Sequence, residues 1–297
     1  MTASPLPLSR YRDLVELDRP FVPSAPPAPP DELDDLAARA LEVLAEEEGT
    51  PAPAGAPPRD ALRALLTVRG PRPLPEEAVP LLDALLGGER EARERVDVRK
   101  LPSAADLFPG TVYPAAGATA LWRGDITTLA AGVIVNAANS GLRGCFIPDH
   151  RCIDNAIHAA AGPRLRADCD AIVRAQGAPE PAGAAKVTRA YHLPARYVLH
   201  TVGPIVSGSP GAADAAALAS SYRSCLDLAA EVPDIRTVAF CAISTGVFGY
   251  PVGEAALVAL RAVAEWLQDN PGRLDRVVFD VFSDTDYRVY AAAFDRR

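Results

Sequence analysis

No apolar run in the sequence approaches the roughly 18 residues needed to span a bilayer. The opening stretch, MTASPLPLSRYRDL, lacks a basic start followed by an apolar segment, so no signal peptide is read there. A cytoplasmic protein is expected. Positive charge is in deficit: 30 Lys and Arg stand against 38 Asp and Glu, for a formal charge of -8 and a pI of about 5.1. That balance argues against bulk nucleic acid or an anionic membrane as partner. A small anion stays open, because a cradle of backbone N–H groups binds phosphate inside an acidic protein. Cysteine is scarce and odd in number, five in all, with no C-x-x-C pair and no disulfide framework. Reduced thiols are the expectation for such a chain. No internal repeat is visible.

Proline is plentiful but unevenly placed: 29 occur in 297 residues, 16 of them before residue 81. They cluster at Pro26 to Pro30 and Pro51 to Pro58, between short helical patterns. The first pattern, Asp31 to Glu48, has an apolar stripe and an acidic opening turn. Arg59 to Val68 and Pro75 to Leu86 read as two more helices, the latter ended by Gly87 and Gly88. Residues 1–105 are thus expected to form a helical, Pro-rich extension, with a partly disordered leader as the alternative. Nothing in them looks catalytic.

From Ala118 onward short apolar runs alternate with helical stretches. Strands are expected over 118–122, 132–135, 186–191, 197–202, 237–243 and 276–282, and helices over 153–161, 163–175, 216–231 and 253–268. Such alternation, with strands apolar on both faces, predicts a three-layer α/β/α sandwich over residues 106–297 around a mixed, mostly parallel sheet.

Four places hold candidate chemistry. Cys145, His150 and Cys152 lie within eight positions, the donors zinc prefers, and three ligands leave an open fourth position. Buried small cysteines with a surface histidine are the alternative. The loop Ser244 to Pro251, between a strand and a helix, reads as a phosphate cradle or as an ordinary βα turn. It leaves the same sheet edge as the loop after Val135, and two such loops make a crevice. Asp125 is placed to accept from an exocyclic amine or to cap a turn. Asp154, two residues past Cys152, is placed to reach a water or to cap a helix. His158, His192 and His200 read as structural, and Cys169, Cys225 and Cys241 as core.

Five words of the sequence carry a resemblance: LWRGDIT at 121–127, VIVNAAN at 133–139, GCFIPDHRCIDNAIH at 144–158, HTVGP at 200–204 and AISTGVFG at 242–249. Together they resemble the macrodomain family, and within it the bacterial zinc-containing branch that removes ADP-ribose from modified proteins. The stretch Gly141 to Arg143 departs from the more apolar one usual in that branch. The resemblance implies a zinc-dependent hydrolase acting on ADP-ribosylated protein side chains, most simply Asp/Glu esters, with ADP-ribose as product. An ADP-ribose reader, an O-acetyl-ADP-ribose deacetylase and a structural zinc protein are the alternatives. It further implies that Asp125 and Ile126 hold the adenine, that Asn136 and Asn139 flank the distal ribose, and that Ser244, Thr245, Gly246, Val247 and Phe248 wrap the diphosphate. Cys145, His150 and Cys152 would hold Zn²⁺, and Asp154, with Asn139 beside it, would serve hydrolysis.

Overall fold

The protein is described here by a computed structural model covering residues 5–49, 55–148 and 150–295. Pro51 and Pro53 of the Pro-rich connection lie outside the described residues. In chain order the elements are α1 Leu33–Glu48, α2 Pro58–Val68, α3 Ala78–Ala92, β1 Val96–Asp97, α4 Ala104–Leu107, β2 Thr119–Arg123, β3 Leu129–Ala130 and β4 Val133–Ala137. There follow α5 Ile153–Ala161, α6 Pro163–Gln176, β5 Ala185–Arg189, β6 Tyr197–Thr201, α7 Ala212–Ala230, β7 Thr237–Phe240, α8 Val252–Asp269, β8 Arg276–Val281 and α9 Asp284–Phe294.

Six strands form the central sheet in the order β2-β8-β7-β4-β6-β5. All neighbours run parallel except β5, which pairs antiparallel with β6 at the edge. Val133, Ile134, Val135, Val198, Leu199, Val238, Ala239, Val277 and Val278 are fully buried, as expected of strands covered on both faces. The helices α7, α8 and α9 pack in a row, while α5 lies against β4 and α6. The mixed, mostly parallel α/β architecture expected from the sequence is what the chain adopts.

Two local expectations are corrected. The helix α3 runs on through Gly87 and Gly88 instead of stopping there. A Cβ at Gly88 would lie 2.4 Å from Ala28 O and 2.7 Å from a Leu33 methyl, so these glycines let the chain approach α3 closely. The second correction is α9, which the sequence reading left unassigned; it is capped by the Ser283 side chain.

Helices α1 to α3 share a small core built on Leu36, Leu41, Leu44, Leu62, Leu82 and Leu85. The first described residues behave differently. Leu8, Tyr11, Val15 and Leu17 belong to the large core of the sheet. The hydroxyl of Tyr11 accepts a 3.0 Å hydrogen bond from the Val187 N–H of edge strand β5. An outward-facing donor on a sheet edge is thereby occupied.

Candidate active site and metal centre

The five parallel strands end on one edge of the sheet, and every loop singled out in the sequence leaves from there. The loop after β4 carries the cysteines and opens α5. Cys152 is the N-cap of α5, its sulfur accepting from Asn155 N at 3.4 Å. The Asn155 amide donates to Ile147 O and His150 O, at 2.8 and 2.9 Å. Asn139 closes the other end: its Oδ1 accepts from Gly141 N, and its Nδ2 donates to Gly144 O at 3.0 Å. Leu142, in the stretch that departs from the branch pattern, is fully buried with φ of +57°.

So folded, the loop brings Cys145 Sγ within 3.3 Å of His150 Nδ1. The donor atoms of Cys145, His150 and Cys152 all lie within 4.8 Å of one another, and each residue is partly exposed. Tetrahedral zinc with Zn–S near 2.3 Å and Zn–N near 2.0 Å requires S···N of about 3.6 Å and S···S of about 3.8 Å. The donor set and its spacing fit such an ion with little movement. Burial, with the nearby Cys145 sulfur adding to it, pushes the Cys152 thiol up to about 11. A divalent cation between the sulfurs reverses that balance.

Asp154 begins the first turn of α5 and is buried. It does not cap the helix. Its Oδ1 accepts from Asn136 Nδ2 at 2.8 Å and its Oδ2 faces Asn139 Nδ2 at 3.4 Å. Burial pushes this carboxyl up to about 6, against the opposing effect of the Asn136 hydrogen bond. The same Asn136 amide reaches His200 Nδ1 at 3.2 Å, and His200 Nε2 lies 3.0 Å from Thr188 Oγ1. This pattern requires the Nε2–H tautomer of His200, and burial holds the ring neutral, at about 3. Asn136 is therefore turned inward, and its Oδ1 is buried without a hydrogen-bond partner among the described residues.

His158, Cys169 and His200 form a second close group, fully inside the protein. It is not built as a metal site. Both His200 nitrogens are engaged by Asn136 and Thr188, and the Cys169 sulfur lies 3.9 and 3.6 Å from them. His158, read as a packed histidine, lies with Nε2 3.4 Å from Asp154 Oδ1, and burial depresses its basicity. His192 is structural too: its Nε2 contacts Asp83 of α3 at 3.0 Å. Cys169, Cys225 and Cys241 are buried.

The loop after β7 is shaped by its backbone. Ser244 has φ of +66° and Gly249 φ of +71°. Tyr250 N donates to Ser244 O, Gly249 N to Gly246 O, and Val206 N to Phe248 O. Among the described residues the N–H groups of Gly246, Val247 and Phe248 have no backbone acceptor, and Val247 is exposed. Gly203 is required beside it, because a Cβ there would lie 2.0 Å from Ser244 Oγ.

At the far edge, Asp125 follows β2. Its Oδ1 accepts from Thr127 N and Oγ1 at 2.9 and 2.7 Å, the turn cap weighed in the sequence. Its Oδ2 is half-exposed and 3.3 Å from Arg93 Nη1. Ile126 is buried beneath it. Phe282, which the sequence reading placed inside the last strand, follows β8 with its ring 82% exposed, next to β2 in the sheet. An aromatic residue directly after a run of buried strand residues was the available signal.

An α/β sandwich with two ligand-sized loops on one strand edge defines a class, and comparison narrows it. The Macro domain family matches residues 135–259. A protein-ADP-ribose hydrolase of Treponema medium is 46% identical over 229 residues, covering 77% of this chain and 84% of the relative. One from Staphylococcus aureus is 42% identical over 235 residues, covering 79% and 84%. Among solved structures, the Trypanosoma brucei macrodomain in complex with ADP superposes with a TM-score of 0.59 at 30% identity, over 78% of this chain and 95% of that one. The Oceanobacillus iheyensis macrodomain with ADP gives 0.52 at 38% identity, over 59% and 88%. The chain belongs to the macrodomain family.

Proposed function

We propose that the protein is a protein-ADP-ribose hydrolase that uses Zn²⁺ held by Cys145, His150 and Cys152 to release ADP-ribose from Asp/Glu-linked protein substrates. The observation that carries this reading is one juxtaposition: three converging thiol and imidazole donors stand on the loop that leads directly to a buried, doubly held carboxylate, Asp154. Relatives named protein-ADP-ribose hydrolase support the enzymatic part of it.

In this reading Asp125 accepts the adenine amino group through Oδ2, with the exposed Phe282 ring as the apolar wall of that end. The free N–H groups of residues 246–248 receive the diphosphate, where backbone dipoles stabilise negative charge without any cationic side chain. Asn139 stands at the distal ribose and links the metal loop to Asp154. A zinc ion held by Cys145, His150 and Cys152 would supply a charged centre able to stabilise developing negative charge on oxygen. Asp154 orients a water and takes its proton. The water oxygen bonds to the acyl-linked centre, the ester C–O bond breaks, and the products are the free side-chain carboxyl and ADP-ribose bearing a hydroxyl. Asn136, His200 and Thr188 hold Asp154 in one orientation, so the reacting groups meet already aligned.

Metal analysis joined to hydrolysis of defined Asp/Glu-, Ser- and Arg-linked ADP-ribosyl peptides, with and without chelator, tests the proposal. The expected result is about one zinc per chain and chelator-sensitive release from the Asp/Glu-linked peptide. Undiminished release from a metal-free chain removes zinc from the reaction. ADP-ribose binding without release from any peptide leaves a reader module.

A further inference from the structure

Arg166 of α6 is buried at 6% exposure, yet no carboxylate pairs with it among the described residues. Its guanidinium is held by carbonyl oxygens. Nε donates to Arg143 O at 2.7 Å; Nη1 donates to Leu66 O at 2.8 Å and to Arg69 O. The same group lies over the Phe146 ring, 4.6 Å from its centroid. Leu66 and Arg69 sit at the C-terminal end of α2, where helix carbonyls lack intrahelical partners and carry partial negative charge. Arg143 and Phe146 sit on either side of Gly144 and Cys145. One side chain thus ties the end of a helix in the extension to the residues flanking the first candidate metal ligand.

The corner that offers those carbonyls is itself fixed. Arg69 is 4% exposed, and its guanidinium donates to Arg72 O, Pro73 O and the Glu47 carboxylate of α1. A chain of contacts therefore runs from α1 through Arg69 and Arg166 to Arg143 and Phe146, the residues that flank Gly144 and Cys145. Gly144 completes the fit: with φ of +85°, a Cβ there would lie 3.2 Å from both the Arg166 guanidinium and the His158 ring.

We propose that Arg166 is a positioning residue through which the N-terminal helices preset Cys145 for its metal, so that metal retention by the α/β domain depends on the extension. This rests on the metal reading of Cys145, His150 and Cys152. Burying a charge on neutral carbonyls alone is costly. The return is a loop shaped before the ion arrives, and supports of this kind typically set metal affinity by about 10–100-fold.

The test uses the full chain in two arms. In the first, zinc is withdrawn by a chromogenic chelator and ADP-ribose binding is measured by calorimetry. Arg166→Lys is expected to weaken zinc by about 10–100-fold while ADP-ribose affinity changes less than about twofold. Arg69→Ala, which touches neither the loop nor the ligand cleft, is expected to move zinc in the same direction by less. In the second arm, hydrogen exchange of the metal-free chain is expected to quicken over residues 143–148 in both variants. Wild-type zinc affinity together with unchanged exchange overturns the proposal. A wild-type chain that takes up no zinc removes the metal reading instead, and the exchange arm then decides the bracing alone. If Arg166→Lys fails to fold, Phe146→Ala removes only the ring contact and is expected to give the same signs at smaller size.

Discussion

The two loops at the strand edge are held in different ways. Residues 244–250 are fixed by main-chain hydrogen bonds and by two left-handed backbone positions. Residues 141–148 and 150–152 have main-chain bonds of their own, but their carbonyls are in addition held by side chains reaching in from elsewhere: Asn139, Asn155 and Arg166. Under the proposed function the first loop presents bare N–H groups to a diphosphate, and shaping it by backbone geometry leaves those donors free. A loop that must present sulfur and imidazole at set distances needs its carbonyls restrained from outside. The difference makes the first loop tolerant of side-chain change away from its special backbone positions, and the second sensitive to the side chains that reach into it as well as at Gly144.

Four substitutions sharpen or break this contrast. The largest effect is expected at Asp154→Ala, with turnover down by about 10²–10⁴-fold and ADP-ribose affinity retained. A release time course and calorimetry read the two, and unaltered turnover refutes the role given to Asp154. Next, Asn155→Ala frees Ile147 O and His150 O and is expected to weaken zinc by about 10–100-fold, with a loss of about 1–3 kcal/mol in unfolding free energy. Chelator competition and denaturant unfolding check it. Third, Gly249→Ala is expected to cost about 1–3 kcal/mol and to weaken ADP-ribose, since the new Cβ meets Val206 O at 2.7 Å in a left-handed backbone. Zinc affinity should hold. If Asn155→Ala weakened ADP-ribose as much as Gly249→Ala does, the two loops would not be independently held. The smallest effect belongs to Val247→Ala, within about 0.5 kcal/mol of wild type, because its exposed side chain supports nothing.

What was legible in the sequence follows the range of the forces involved. The helix α5 was read with the limits it has, because its apolar spacing and closing glycine are local, although its cap is Cys152 and not Asp154. The gathering of Cys145, His150 and Cys152 was legible for the same reason: eight residues ending at a helix N-cap have few ways to spread. The end of α3 was misread because Gly87 and Gly88 serve contacts with Pro27 and Ala28, about 60 residues away in sequence. The inward turn of Asn136 depends on His200, and the partners of Arg166 are carbonyls of Leu66 and Arg69. A carbonyl acceptor belongs to every residue type, so no residue pattern announces such a contact. Phe282 was assigned to a strand because apolar character alone does not tell a buried ring from one left at a cleft.

The tie between Tyr11 and the edge strand has a consequence during synthesis. Residues 8–17 are made before the strand they pack against, which follows some 170 residues later. The contacts of Leu8, Tyr11, Val15 and Leu17 with the sheet core are therefore long-range in sequence, and the Tyr11 bond at the rim of the sheet forms only once β5 has been made.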